Sequence, residues 1–407
     1  MSDTLGIITL LLAFAVVAWV AHRNSPIAAP LLLGFAARVA LTLYDSYVQQ
    51  LPGAVDGMGW DRVAAIWARG GVAGTFQYLE TGHELFIWLM SVLYALTDRS
   101  PLMIKGFNVC FGSLAIVVVS RLAGYISDDQ RQARLVAWLI ALVPSIVFFS
   151  AVLLREVAVS FPLSVSVLFL VRWYRERRSW QVVVALSALL VSMAFHSGGL
   201  AVLLFGGLWM VGGWFRAIFT FKFKHFGRAS LGMLAGVALA ALVMSSGFGL
   251  SKFKGLESGN LNTLTERQDN YAIGRAAYLG DLHAESSTDL VWQAPIRLTY
   301  FLFAPFPWMI STGSDLFGVL DSALFALLAL RILLNRKSVF DNPRAAMVLG
   351  VFAAMALVFA IGVSNYGTAL RHRNKMLPLL IAAVMAVPSA KRVRAGLPAE
   401  LQRPAPI

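Results

Sequence analysis

Residues 102–123 read LMIKGFNVCFGSLAIVVVSRLA, a stretch in which Lys105 and Arg121 are the only charged residues. An α-helix crosses the hydrocarbon core of a bilayer with about 20 predominantly apolar residues. The stretch therefore predicts a membrane-spanning helix, and ten more of this kind occur along the chain. The predicted spans are residues 5–21, 27–44, 102–123, 135–154, 157–171, 182–195, 200–214, 231–244, 317–334, 345–363 and 376–387.

The composition of the whole chain supports this interpretation. Of its 407 residues, 58% are hydrophobic and 14% are charged, and the mean hydropathy is +0.71. Soluble globular domains carry roughly 25% charged residues. The much lower charged fraction of this chain excludes a soluble enzyme. We predict an all-α, polytopic transmembrane helical bundle that forms one integral-membrane domain over residues 1–407. Residues 85–96 and 298–310 are shorter apolar stretches that fit either crossing or re-entrant helices, so the bundle has about 11 to 13 membrane helices.

The distribution of charge predicts the orientation of the bundle. If the two short stretches do not cross, alternate loops contain 20 of the 34 Lys and Arg residues and only 5 acidic residues. Short loops rich in Lys and Arg remain in the cytoplasm. This rule places the N-terminus on the extracytoplasmic face and the C-terminal tail, residues 388–407, in the cytoplasm. It also explains the net charge of +13 without a nucleic-acid partner.

Two long loops are predicted on the extracytoplasmic face. The first covers residues 45–82, and within it Trp60, Ala64 and Trp67 have the spacing of one apolar helix face, as in an interfacial helix. The second covers residues 247–295 and is the most polar part of the chain. Long loops on one face of a bundle more often carry function than linkage.

The segment NYGTALRHRNK, residues 365–375, is predicted to lie at the same face, where the rule for Lys and Arg should exclude it. Arg371 and Arg373 have the guanidinium groups that suit phosphate oxygens, and His372 between them can bind the same group or transfer a proton. The segment therefore predicts a site for an anionic partner. The alternative is that the predicted topology is displaced by one span and this segment is a cytoplasmic loop.

Three further residues are predicted at extracytoplasmic helix ends. Arg155 and Glu156 are adjacent in FFSAVLLREVAVS, where Arg155 would bind phosphate and Glu156 would accept a proton. The alternative is that the two charges only neutralise each other in the interface. His196 in MAFHSGG precedes two glycines that permit close approach of another group, and it has either a structural or a catalytic role.

The first extracytoplasmic loop supplies carboxylates for general base catalysis. A general base at this face must reach the hydroxyl group that it deprotonates near the membrane surface. Asp56 and Asp61 flank the interfacial Trp60 and are the favoured candidates.

Several other chemistries are excluded by the motifs. The sequence has no GxxxxGK[ST] phosphate loop and no HExxH motif, and its six histidines and one cysteine show no metal-ligand spacing. We therefore predict no metal site and no cofactor, and neither ATP hydrolysis nor zinc catalysis.

The stretch from GHELFIWLM to AVLLRE resembles the integral-membrane glycosyltransferases of the C superfamily, which use polyprenyl-phosphate-linked sugars. The segments FHSGG, PIRLTYFLFAPFPW and NYGTALRHRNKMLPLL look like bacterial Wzy-type or EpsG-like polysaccharide repeat-unit polymerases. The resemblance implies a GT-C-like fold in the bacterial inner membrane. This sequence differs from the pattern of the C superfamily in the first extracytoplasmic loop. There, Asp56 and Asp61 only approximate the acidic motif of that superfamily.

The resemblance implies an enzyme of surface or exopolysaccharide assembly. It would move a sugar or an oligosaccharide repeat unit from a polyprenyl diphosphate or polyprenyl phosphate donor to a glycan acceptor on the extracytoplasmic face. Its partners would be these two substrates, membrane lipid and other polysaccharide-assembly proteins. Two alternatives remain open: a lipid-linked oligosaccharide flippase or transporter, and a noncatalytic membrane scaffold of an assembly complex.

Overall fold

The computed structural model describes residues 2–51, 55–219, 274–282, 284 and 286–387. These residues are all-helical and contain no β-strand. The predicted span at residues 231–244, the predicted tail at 388–407 and residues 247–273 of the second predicted loop lie outside the described residues. The helices are α1 (Ser2–Arg23), α2 (Ala28–Tyr47), α3 (Val55–Trp67), α4 (His83–Leu96), α5 (Pro101–Ser127), α6 (Gln130–Leu142), α7 (Pro144–Ala151), α8 (Glu156–Glu176), α9 (Ser179–Phe195), α10 (Gly199–Phe219), α11 (Ser287–Phe303), α12 (Gly313–Leu334), α13 (Pro343–Gly362) and α14 (Tyr366–Met385); single-turn helices occur at Gly71–Thr75 and Arg336–Phe340.

The apolar helices are those of a membrane protein. Six of the described helices, namely α1, α2, α5, α8, α12 and α13, are long and apolar enough to cross a bilayer. The bent pair α6 and α7 brings the number to seven if it is one span. Helices α4 and α9, and the first half of α10, are apolar but shorter. The coarse prediction of an all-α membrane bundle is therefore confirmed, and the finer count of 11 to 13 spans remains a prediction.

The bend between α6 and α7 follows from a proline. Pro144 has no N–H to donate to the carbonyl of Ile140, and the two helices meet at 55°. The fully buried Arg38 of α2 donates hydrogen bonds to Ile140 O at 3.0 Å and to Ala141 O at 3.3 Å. The guanidinium thus satisfies the carbonyls that the bend leaves without helical donors, which explains a buried cation in this part of the bundle.

Helix α5 is the centre of the first half of the bundle. It packs against α1, α2, α6 and α8, and nearly three quarters of its apolar segment is buried. In the second half, α14 has a similar position, because Met376, Leu377 and Ile381 are fully buried against neighbouring helices. Both helices are therefore covered by protein on most sides and are not lipid-facing helices.

One end of the bundle is defined by Asp128, and we call it the Asp128 face. This residue ends α5 in the left-handed conformation with φ of 57° and forms ion pairs with Arg175 at 2.5 Å and Arg344 at 2.8 Å. The hydrogen bond from Arg344 holds the pKa of the Asp128 carboxyl below its usual range. The described loops that the charge distribution predicts as cytoplasmic lie at this end.

The chain that follows helix α11 turns back along α12. The segment after Phe303 turns back along α12, because Ser322 donates to Ala304 O at 2.9 Å and the Ser311 backbone N–H donates to Asp315 at 3.0 Å. Ala304 therefore lies about two helical turns along α12 from the level of Ser311. The short stretch predicted at residues 298–310 enters the bundle and returns to the same end.

Candidate functional site

The predicted site residues on α14 lie inside a helix. Asn365 caps α14 by accepting hydrogen bonds from the N–H groups of Gly367 and Thr368, so the helix begins at Tyr366. Arg371 follows in the second turn. Its Nε donates to Glu156 Oε1 at 3.0 Å, and another guanidinium nitrogen pairs with Asp56. The segment of residues 365–375 is thus part of a packed helix, where side chains from α3 and α8 reach it.

The two acidic partners of Arg371 differ in exposure. The Glu156 side chain is 1% exposed, whereas the Asp56 side chain is 54% exposed. The buried carboxylate holds the guanidinium from the protein side, and the exposed carboxylate covers it from the open side. Asp56 is therefore the partner that an incoming anion can replace.

Trp60 of α3 connects the two arginines of the site. The guanidinium carbon of Arg155 lies 5.9 Å from the centroid of the Trp60 ring, and that of Arg371 lies 5.7 Å from it. Arg155 also donates to the carbonyl of Phe195 at 2.9 Å, at the end of α9. The aromatic ring stabilises two nearby cations through its negative face. Arg155, which directly precedes α8, and Arg371 of α14 therefore meet at one indole ring of α3.

A buried polar chain extends from Glu156 into the bundle. Lys375 Nζ lies 3.8 Å from Glu156 Oε1 and 3.0 Å from His372 Nδ1. The rings of His372 and His196 are in edge contact, with centroids 5.0 Å apart. The backbone N–H of Gly198 donates to His196 Nδ1 at 3.0 Å, which leaves the His196 proton on Nε2. This series of contacts links the Glu156 carboxylate to two imidazole rings through Lys375.

Gly198 permits the close approach that the sequence predicts beside His196. A Cβ at this position would overlap the ring of Phe359, which stacks on His372 with centroids 4.5 Å apart. The glycine therefore lets α13 pack against the turn that holds His196.

Six of the eight predicted site residues thus meet in one place, and with Lys375 and Trp60 we call them the Arg371 cluster. The members predicted from the sequence are Arg155, Glu156, His196, Asp56, Arg371 and His372.

The structure places the other two predicted residues elsewhere. Asp61 accepts hydrogen bonds from Tyr94 at 2.8 Å and from Arg99, whose pKa this contact raises. Arg373 points to the opposite side of α14, where it pairs with Asp321 at 3.1 Å and donates to Leu302 O at 2.6 Å. Its side chain is fully buried. Both residues bind protein groups that belong to the scaffold.

A cavity of about 1070 Å³ adjoins the Arg371 cluster. Asp56 and Arg371 line it at one end, together with Arg275, Asp315 and Asn365. The remaining wall is mostly apolar and comes largely from α2 and α7, with Ala37, Ala40, Leu41, Pro144, Val147 and Phe148 among its residues. The cavity therefore combines an apolar channel with a charged end.

Sequence reasoning missed a second charged group in this cavity. Arg275 pairs with Asp315 at 2.5 Å, and Tyr366 donates to the other Asp315 oxygen at 2.8 Å. The hydrogen bond to Asp315 raises the pKa of Arg275. Asp315 had a recognisable signal, since Thr312 and Asp315 have capping-box spacing before an apolar run. Arg275 lies in a polar loop without any such pattern.

Comparison of the chain with protein-family models, curated proteins and solved structures finds no match. Among the described residues, no group of three or more His, Cys, Asp and Glu side chains is arranged to hold a metal ion.

Proposed function

We propose that the protein is a membrane glycosyltransferase that transfers a sugar or an oligosaccharide repeat unit from a polyprenyl diphosphate or polyprenyl phosphate donor to a glycan acceptor. Polymerisation of lipid-linked repeat units in surface or exopolysaccharide assembly is the preferred form of this reaction. The observation that carries the proposal is the cavity, because an apolar channel of about 1070 Å³ ends at a guanidinium group with an exchangeable anionic partner. A lipid phosphate ester matches this cavity, because it has a hydrocarbon chain for the apolar channel and an anionic phosphate for the guanidinium group.

The donor fits this arrangement in one orientation. Its isoprenoid chain lies against Ala37, Ala40 and Val147, and its phosphate contacts Arg371. Guanidinium groups bind phosphate oxygens through paired charge-assisted hydrogen bonds. When the phosphate takes the exposed side of Arg371, it displaces Asp56 and leaves Glu156 in place.

Displacement of Asp56 links donor binding to base catalysis. The carboxylate released from Arg371 remains at the cavity wall, where it accepts the proton of the acceptor hydroxyl. The acceptor oxygen then bonds to the anomeric carbon of the donor sugar as the bond from that carbon to the phosphate oxygen breaks. The lipid phosphate leaves with the electron pair, and Arg371 stabilises its negative charge.

Glu156, Lys375 and the two histidines of the cluster lie on the buried side of the site, behind Arg371. Glu156 fixes the orientation of Arg371 from the buried side, and Lys375 supplies a second positive charge 3.8 Å from that carboxylate. Arg155 adds a further positive charge across Trp60. In this proposal Arg373 and Asp61 have structural roles.

The finer features of the fold are part of the same proposal. They are a GT-C-like bundle of about 11 to 13 membrane helices in the bacterial inner membrane, with the N-terminus extracytoplasmic and the C-terminus cytoplasmic. The basic loops at the Asp128 face support the orientation, which puts the Arg371 cluster on the extracytoplasmic side.

The test uses the full chain in lipid nanodiscs with a polyprenyl-diphosphate-linked oligosaccharide. Mass spectrometry of the glycans and of the released polyprenyl diphosphate measures bond formation directly. We expect Arg371→Ala to slow the reaction by about 10²-fold or more, as for other lost contacts to a developing anion. Arg371→Lys controls for folding because it keeps a cation beside Glu156, and Arg69→Ala removes an exposed arginine outside the cluster.

Two outcomes would contradict the proposal. Movement of the lipid-linked glycan across a vesicle membrane without a new glycosidic bond would favour a flippase. Equal activity of the wild-type protein, Arg371→Ala and Arg69→Ala would exclude Arg371 from the reaction.

A further inference from the structure

A second polar cavity lies at the other end of the bundle, at the Asp128 face. It has a volume of about 670 Å³ and is formed by the loop between α1 and α2 together with α5, α6 and α8. Arg23, Arg121 and Arg175 line it, and Glu176 is the one acidic residue among the described lining residues. The cavity shares no lining residue with the cavity of the Arg371 cluster.

The single carboxylate of this cavity is already occupied. Glu176 accepts from Arg172 Nε at 3.0 Å, from Tyr125 Oη at 3.0 Å and from Gln181 Nε2 at 2.6 Å. Arg175, in turn, pairs with Asp128 outside the cavity lining. These contacts neutralise one side of the cavity.

Arg23 and Arg121 differ from their neighbours, because neither forms an ion pair with a carboxylate within the described part of the chain. Arg121 donates to the amide oxygen of Asn24 at 3.0 Å. Arg23 lies over the ring of Trp19, with its guanidinium carbon 5.7 Å from the centroid. Both arginines are exposed, so their charges are open to a ligand.

Neutral hydrogen-bonding groups complete the cavity. Asn24, Ser120 and Gln130 also line it, and they come from three different elements. A site with two uncompensated guanidinium groups and several neutral polar groups suits a phosphate with one or two negative charges.

An apolar groove begins next to this cavity. It runs between α1 and α2 and is lined by Phe14, Leu32, Phe35 and Val39, with His22 and Ser25 at its polar end. These two residues are the chain neighbours of Arg23 and Asn24 in the cavity. A phosphate in the cavity can therefore continue into a hydrocarbon chain in the groove.

We propose that this cavity binds the phosphate headgroup of an anionic phospholipid, with an acyl chain in the groove between α1 and α2. Basic pockets between helices at the cytoplasmic side of membrane proteins commonly bind such headgroups. Trp19, over which Arg23 lies, is 61% exposed, and tryptophan side chains are enriched at the headgroup level of bilayers. The site is independent of the proposed glycosyl transfer.

The experiment measures lipid binding by native mass spectrometry of the full-length protein, released from detergent with phosphatidylglycerol, cardiolipin or phosphatidylcholine. We expect the anionic lipids to remain bound and phosphatidylcholine to be lost. Replacement of both arginines, Arg23→Ala with Arg121→Ala, should weaken anionic-lipid binding by about tenfold or more, since hydrogen bonds between charged groups are lost. Arg23→Lys with Arg121→Lys keeps both charges and should show an intermediate loss, which distinguishes the guanidinium geometry from misfolding.

The matched control removes two exposed basic residues from the same face outside the cavity, Arg134→Ala with Arg336→Ala. Equal weakening by the control and the cavity variant would show a general charge effect and overturn the proposal. Unchanged binding in the cavity variant would overturn it as well. A last arm titrates inorganic phosphate or glycerol phosphate from micromolar to millimolar concentration, and we expect the lipid to stay bound at micromolar concentrations. Displacement of the lipid by micromolar amounts of either would mean that the cavity takes free phosphate and not a lipid.

Discussion

Arg371 and Glu156 are 215 residues apart in the chain, and their side chains form an ion pair with Nε and Oε1 at 3.0 Å. The pair joins α14 to the first turn of α8 at a depth where Glu156 is almost fully buried. A buried carboxylate of this kind requires compensation, and Arg371 and Lys375 provide it. The pair is therefore both a structural link and the support of the proposed phosphate contact.

The first prediction concerns the stability that this link provides. Glu156→Gln keeps the size of the side chain but leaves Arg371 and Lys375 without their buried counter-charge. We expect the free energy of unfolding to fall by about 3–5 kcal/mol, the range for a buried pair broken on one side. Unfolding of the detergent-solubilised protein measures the change. Glu80→Gln, at an exposed acid outside the Arg371 cluster, should leave stability unchanged, and equal stability of both variants would contradict the prediction.

The second prediction separates Asp56 from Glu156. Asp56→Asn removes the proposed base but no buried charge, because the Asp56 side chain is more than half exposed. We expect turnover of the lipid-linked donor to fall by about 10²-fold or more, as for other lost general bases, with no increase in KM. Steady-state kinetics separate the two parameters. Normal turnover would remove Asp56 as the base, and a higher KM without a change in turnover would make it a binding residue.

The third prediction concerns Arg373, which the structure places with Asp321, Leu302 O and Phe325. Asp321→Ala leaves a fully buried guanidinium unpaired and should destabilise the protein by about 3–5 kcal/mol. The double replacement Arg373→Met with Asp321→Leu leaves no buried charge and should recover most of that loss. It should also retain glycosyl transfer. Loss of activity in a stably folded double variant would contradict this prediction and indicate that Arg373 binds phosphate.

The fourth prediction concerns the orientation of the bundle. In a Cys110→Ser background, a cysteine at Glu80 should react with a membrane-impermeant thiol reagent in spheroplasts. A cysteine at Arg336 should react only after lysis. Both positions are exposed, whereas Asn374 in the segment of residues 365–375 is 5% exposed and is a poor site for labelling. The reverse pattern of labelling would place the Arg371 cluster at the cytoplasmic face.

Helices α1, α2 and α5 could be predicted closely because each is a continuous apolar run, whereas the predicted span at residues 135–154 is broken at Pro144 into α6 and α7. Helix α5 contains the whole of the predicted span at residues 102–123. Helix α14 shows the limit of this approach. Its predicted span begins at residue 376, whereas the helix begins at Tyr366, because a helix surrounded by other helices can bury arginine, histidine and lysine.

The membership of the site was predictable by residue type and only partly by position. Arg371 and Arg373 are two residues apart, so they point to different sides of one helix, and the sequence does not reveal which side meets α8. Asp56 and Asp61 pose the same problem on α3. Their partners, Arg371 and Arg99, lie in distant parts of the chain, and only the packing of the helices determines them.

The buried second half of α14 has a consequence for the energised cell. A bundle with a large cavity at one end remains an insulator only if the rest of its thickness excludes ions and water. Met376, Leu379 and Ile381 follow the Arg371 cluster along α14, and all three are fully buried in the hydrophobic core. For the proposed function, this arrangement would leave the cavity open to a lipid-linked substrate with apolar side chains of α14 beneath it, and the membrane would retain its electrochemical gradient.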